Sequence, residues 1–176
     1  MRRRFLCAIV ITAALAAPAT QAQPSLEYAV KAAYLAKFAP FIDWPDSGFA
    51  GPAAPLTICI LGPDPFGGEL DKATAGQKDG DHPLAVRRMP ALDPATVCQL
   101  LFIGDAALAE RTLADMKARP VVTVTDSGLH AHGVISFVVI DNHVRFDIDK
   151  AAADNVGLNI SSKLLSLAHA VRRGAR

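Results

Sequence analysis

The chain has 176 residues, with 18 lysines and arginines against 17 aspartates and glutamates, and 51% of its residues are hydrophobic. That length suits one domain with a sizeable core. The near-neutral charge argues against nucleic acid or an acidic membrane surface as the main partner, and no apolar stretch is long enough to cross a bilayer.

Arg2, Arg3 and Arg4 precede an apolar run from Phe5 to Ala17, and Thr20-Gln21-Ala22 supplies small residues after it. A charged start, a short apolar core and a small-residue exit are the parts of a secretory signal, here cleaved near Ala22. The expectation is export as a single domain, residues 23–176, with 15 basic against 17 acidic residues. Cys7 leaves with the signal. Cys59 and Cys98 remain, and two cysteines in an oxidising compartment most simply form one disulfide.

Leu26, Val30, Ala33, Phe38 and Phe41 recur at helical spacing after Ser25, a candidate N-cap, and Pro40 should bend or end that helix. Asp46 to Pro55 is a Gly/Pro/Ala-rich connection. Leu56 to Leu61 reads as a strand, followed by a turn and a helix start with Asp64 as N-cap and Pro65 at the first helical position. Gly76 to Pro83 reads as a polar loop and Leu84 to Arg88 as a weaker strand. Leu100 to Ile103 is a buried strand, Ala106 to Lys117 a helix, and Val121 to Thr125 the next strand. Val134–Ile140 and His143–Ile148 flank Asp141-Asn142, a two-residue connection that suits a hairpin. Asn159 caps a last helix, Ile160 to Val171, whose apolar face is Ile160, Leu164, Leu167, Ala168 and Val171, and Arg172 to Arg176 form a basic tail. Strands alternating with helices imply an α/β fold: a mostly parallel sheet covered on both faces, with an antiparallel hairpin near the C-terminal part. The first and third strands are often neighbours in such sheets, so a Cys59–Cys98 bond would staple adjacent strands.

Asp64, Asp105 and Asp126 each follow a strand at its carboxyl end, where open α/β sheets bind ligands. They read either as caps for the turns and helices that follow, or, with Gly62 and Gly104, as a small polar ligand site. His130 and His132 have metal-ligand spacing but lack further ligands nearby, so no metal or other cofactor is expected. Hydrolase, phosphate-loop and dinucleotide signatures are missing, and Ser161-Ser162-Lys163 at a helix start reads as capping rather than as a nucleophile. No catalytic residues stand out. Phe41 and Trp44, with Phe38 and Phe49 nearby, form an aromatic exit from the first helix that reads either as core or as a partner-binding patch.

Val30-Lys31-Ala32-Ala33-Tyr34-Leu35, Lys37-Phe38-Ala39 and Trp44-Pro45 resemble the opening helix of the YfiR-like family of periplasmic proteins. Ile58-Cys59-Ile60-Leu61-Gly62, Asp64-Pro65-Phe66-Gly67, Cys98 before Leu101-Phe102-Ile103, and Pro120 to Asp126 resemble the same family in order. The longest likeness runs through Val144-Arg145-Phe146-Asp147-Ile148, Ala151-Ala152, Gly157-Leu158 and Ile160 to Ala168. The resemblance implies a small, often dimeric α/β domain that acts without catalysis. It implies a periplasmic repressor of a membrane diguanylate cyclase, released in turn by an outer-membrane lipoprotein, and it pairs Cys59 with Cys98. The repressor's later cysteine pair, tied to redox control, has no counterpart after Cys98.

Overall fold

A computed structural model describes residues 25–93 and 95–174; the expected signal, with Cys7, lies outside the described residues. The first helix, α1 (Leu26–Phe38), starts after Ser25, whose carbonyl takes the Ala29 N–H at 3.1 Å while its side chain makes no capping bond. Proline cannot donate to a helix, and at Pro40 the chain tightens into a 3-10 turn, Ala39–Phe41, before β1 (Ile42–Asp43). After β2 (Leu56–Leu61), helix α2 (Gly68–Thr74) begins later than expected. Asp64 does not cap it: its carboxylate takes the Phe66 N–H at 2.8 Å in a tight turn, and the chain enters the helix through Gly67 at φ +51°. The stretch Gly76–Pro83 is not all loop, since β3 (Lys78–Asp79) folds back antiparallel on β4 (His82–Met89).

The middle of the chain follows the sequence reading through β5 (Leu100–Ile103), α3 (Ala106–Met116) and β6 (Val122–Thr125). Strands β7 (Ile135–Ile140) and β8 (His143–Asp149) form the hairpin. Asp141 and Asn142 both take positive φ, +48° and +60°, the handedness that matches strand twist in a two-residue turn.

The last part departs from expectation. Asp149 caps an additional helix, α4 (Lys150–Asn155), through the Ala152 N–H at 2.9 Å. Asn159 caps no helix; it lies in β9 (Asn159–Ile160), antiparallel to β1. The expected Ile160–Val171 helix shrinks to α5 (Ser162–Leu167), with Ser161 as its cap, and the chain then enters β10 (Ala170–Arg172), parallel to β8. The physical reason is the open edge of β8. Its carbonyls need donors, and the His169 N–H reaches Phe146 O at 2.8 Å as the strand begins. Arg172 therefore sits in a strand, 3.3 Å from Asp149, and Leu167 is 60% exposed instead of lining an apolar helix face.

The main sheet runs β10-β8-β7-β6-β5-β2-β4-β3, and the five strands β4, β2, β5, β6 and β7 are mutually parallel. Cys59 on β2 is bonded to Cys98, just before β5, with Cα atoms 5.9 Å apart, so the disulfide staples neighbouring strands. One face packs Ile58, Ile60, Phe102 and Val124 against α1 and Leu70 of α2; the other packs Leu61, Leu101, Ile103 and the disulfide against Ala109 and Met116 of α3. From α1 the core takes Ala32, Leu35 and Phe38. Of the expected stripe, Phe38 is core and Phe41 packs against it, whereas Leu26 is 82% exposed and Val30 37%.

Gly133, leading into β7, is held against β6. A Cβ there would lie 2.5 Å from the Thr123 carbonyl oxygen and 3.1 Å from that of Ile135, and backbone cannot yield as a side-chain tip can. Gly133→Ala is expected to cost about 1–3 kcal/mol by forcing β6 and β7 apart. Urea unfolding checks this, and a loss under a few tenths of a kcal/mol would show that the seam relaxes freely.

Candidate functional site

The candidate residues fall at opposite ends of the parallel strands. At the carboxyl ends, Gly62 takes φ +84° and donates its N–H to Met89 O at 2.9 Å. A Cβ at Gly62 would lie 3.3 Å from Leu108 Cδ1 and 3.7 Å from Asp105 Cβ. The β2/β5 gap is where the strand order reverses and where doubly wound sheets take ligands. Here Leu108 and Asp105 pack into it. Asp105 caps α3 by accepting the Ala107 N–H at 2.8 Å. Gly104 lies over the Phe102 ring.

Asp64 accepts from Arg88 Nε at 2.6 Å, and the same guanidinium reaches Asp71 at 2.7 Å and Gly67 O at 2.9 Å. That hydrogen bond from Arg88 holds the Asp71 carboxyl below the usual carboxylate range. Asp64 and Asp105 thus serve turns, caps and a surface ion-pair cluster.

Asp126 has a different role. Its carboxylate is buried, and it binds the ammonium of Lys31, a fully buried lysine on α1. Lys31 also pairs with Glu27 one turn earlier and donates to Ser127 Oγ at 3.1 Å. Tyr28 O–H donates to Asp126 at 2.7 Å, and so does the Ser127 N–H. Among the described residues no buried side-chain polar atom lacks a partner. The network ties α1 to the end of β6, across 95 positions of sequence. Glu27 and Lys31 stand at the i, i+4 spacing that pairs opposite charges on a helix; nothing local marks Asp126 as the third member.

Burial, with the neighbouring Asp126 carboxylate, pushes the Tyr28 phenol well above its ordinary value of 10.0. Its folded-state pKa is raised, so the stability tied to it is fully present below pH ~10 and is lost as pH rises further. The expected loss above pH ~10 is up to about 1.4 kcal/mol per pH unit from this group. Tyr28→Phe should flatten that slope. Denaturation midpoints at pH 9 and 11 for both proteins check it, and equal slopes would sink the assignment.

At the amino ends of the strands lie Phe41 and Trp44, both half-buried. Trp44 donates Nε1–H to Gln99 O at 3.3 Å. Buried Gln99 in turn donates Nε2–H to Gly48 O and accepts the Thr57 N–H, both at 2.6 Å, which anchors this loop to β2. Phe41 carries the Lys163 ammonium 5.5 Å from its ring centroid, and its carbonyl accepts from Ser161 N–H at 2.9 Å. Phe49 stacks on His82 at 3.9 Å, and Phe38 is core. The aromatics are therefore dispersed over separate partners, with Phe41 and Trp44 each partly exposed. His130 and His132 are exposed, and no three His, Cys, Asp or Glu side chains among the described residues gather as a metal site.

None of the curated proteins compared with the chain matches it. A family model does match, described as YfiR/HmsC-like, over residues 28–169. That span takes in every strand of the main sheet except β10, together with the stapling disulfide and the buried α1–β6 network from Tyr28 onward. The chain belongs to the YfiR/HmsC-like family, whose members are periplasmic regulatory proteins.

Proposed function

We propose that the protein is a non-catalytic periplasmic regulator that binds the periplasmic part of a membrane diguanylate cyclase and holds its output down. The family match over residues 28–169 carries this reading. It is supported by the carboxyl ends of the strands, where Asp64, Asp105 and Asp126 are each committed to internal bonds. Control of a receptor by a bound protein needs only a difference in affinity for two receptor states.

The proposed contact is formed by the partly exposed Phe41, held through Ser161, and Trp44, on the loop that Gln99 anchors to the sheet. An outer-membrane lipoprotein would relieve repression by competing for the regulator, and a homodimer would present two such loops. The test is cellular cyclic di-GMP in a deletion strain, restored with wild type or with Phe41→Ala/Trp44→Ala. A several-fold rise on deletion, reversed by wild type but not by the double variant at equal protein level, is the expected result. No change on deletion while the wild type is expressed overturns the reading; full repression by the double variant moves the contact elsewhere.

A further inference from the structure

Strands β6 and β7 are in register over only two pairs, Val124↔Ile135 and Thr125↔Ser136. Towards their amino ends the ladder is replaced by side-chain bonds. The Val134 N–H donates to Thr123 Oγ1 at 3.0 Å and the Gly133 N–H to Thr125 Oγ1 at 3.2 Å. Beside this close Thr123–Gly133 contact, where α3 ends and α4 lies, is a groove of about 430 Å³. Small-molecule sites commonly span roughly 300–1,000 Å³. This groove lies at the opposite end of the strands from Asp64 and Asp126.

Its walls are Leu113, Met116, Val121, Val134, Ala152 and Val156. All are aliphatic or thioether side chains. No Phe, Tyr or Trp lines the groove, and a flexible alkyl chain can follow such walls. The polar groups lining it include Lys117, His132 and Asn155, all exposed. No carboxylate of the described residues pairs with Lys117. No acidic residue lines the groove either. Two of the carbonyls that end α3 are engaged: Ala114 O by the Lys117 N–H at 3.4 Å and Met116 O by the Arg119 N–H at 3.0 Å. An apolar trough with one unpaired cation at its mouth is complementary to an aliphatic tail ending in a negative charge.

We propose that this groove binds a medium-chain aliphatic carboxylate, its alkyl chain between α3 and α4 and its carboxylate at Lys117. Neither Phe41 nor Trp44 lines the groove, and the proposal does not rest on the cyclase reading.

The test uses octanoate, below its micelle concentration, with hexanoate, octanol and octylamine as comparisons, followed by backbone NMR and calorimetry. Octanoate should shift the amides of Thr123, Gly133, Val134 and Val156. Each added methylene should tighten binding roughly three- to fourfold. Lys117→Gln, a surface change, should weaken octanoate by roughly fivefold and leave octanol unmoved. Octylamine should bind more weakly than octanoate. Ala152→Phe should abolish binding by filling the trough, and its NMR spectrum reports whether the fold is kept. The proposal is overturned if octanoate shifts a different surface or none, if chain length has no effect, or if Lys117→Gln and a folded Ala152→Phe bind as wild type does.

Discussion

Lys31→Met should destabilise the folded protein by about 3–5 kcal/mol, the cost of leaving one member of a buried ion pair without its partner. Lys31 is 0% and Asp126 7% exposed. The methionine fills the space of the lysine stem but cannot neutralise Asp126, which keeps the Tyr28 hydroxyl, the Ser127 N–H and, at 3.4 Å, the Ser127 hydroxyl as donors. Against a total stability of roughly 5–15 kcal/mol, that is a large share. Asp126→Asn should cost less, because Lys31 retains Glu27, which is 39% exposed and reaches solvent. Adding Asp126→Asn to Lys31→Met should recover part of the loss, so the double-mutant cycle should show strong coupling. Urea unfolding at pH 7 with the disulfide intact measures all three. A loss below 1 kcal/mol for Lys31→Met would mean that water reaches Asp126 and the pair is not buried in solution.

Removing the disulfide should cost a similar amount. Cys59 and Cys98 are 39 positions apart, and the chain-entropy model assigns roughly 4 kcal/mol to closing such a loop, with 2–5 kcal/mol typical for a native disulfide. Cys59 is fully buried and Cys98 6% exposed, on the face covered by α3. Reductant must therefore wait for the structure to open. Wild type should resist reduction under native conditions and lose its stability once reduced in mild denaturant. Cys59→Ala/Cys98→Ala should match the reduced wild type in unfolding midpoint to within the small volume lost. A midpoint unchanged by either treatment would show that the β2–β5 pairing and its packing hold the strands without the staple.

These two predictions differ in how far the sequence foretold them. Cysteine count and compartment were enough to pair Cys59 with Cys98, and the strand on which Cys59 lies was marked by its own apolar run. The buried ion pair was not legible. Helix α1 is apolar on more than one side, and the stripe through Leu26, Val30, Ala33, Phe38 and Phe41 read as the inward one; its last members do turn inward and its first do not. The orientation adopted places Lys31 inside, because its ammonium meets a carboxylate 95 positions away. No local pattern encodes that meeting. Asp126 was likewise read as a cap or a ligand group, since an acid after a strand resembles both.

The C-terminal part shows the same division. Val134 to Ile148 displayed its hairpin openly, since Asp141-Asn142 specifies a turn by its own backbone preference. Ile160 to Val171 read as one helix because its apolar spacing is helical throughout, yet the chain leaves the helix after Leu167 to pair with β8. The Phe41 and Trp44 loop was placed correctly after the first helix, but its anchoring by Gln99 depends on a side chain 55 positions beyond Trp44.

By itself, the sequence determined the α/β alternation, the neighbouring of the strands that carry the cysteines, and the disulfide between them. Those follow from hydrophobic period, turn chemistry and cysteine count, which act over a few residues or through composition. Only the tertiary structure decided which face of α1 is buried, what Asp126 binds, that the helix expected to Val171 gives way to β10, and that a groove lies between α3 and α4 beside the β6–β7 seam. Each of those depends on partners far apart in the chain, where burial of a charge or completion of a strand edge outweighs the local preference.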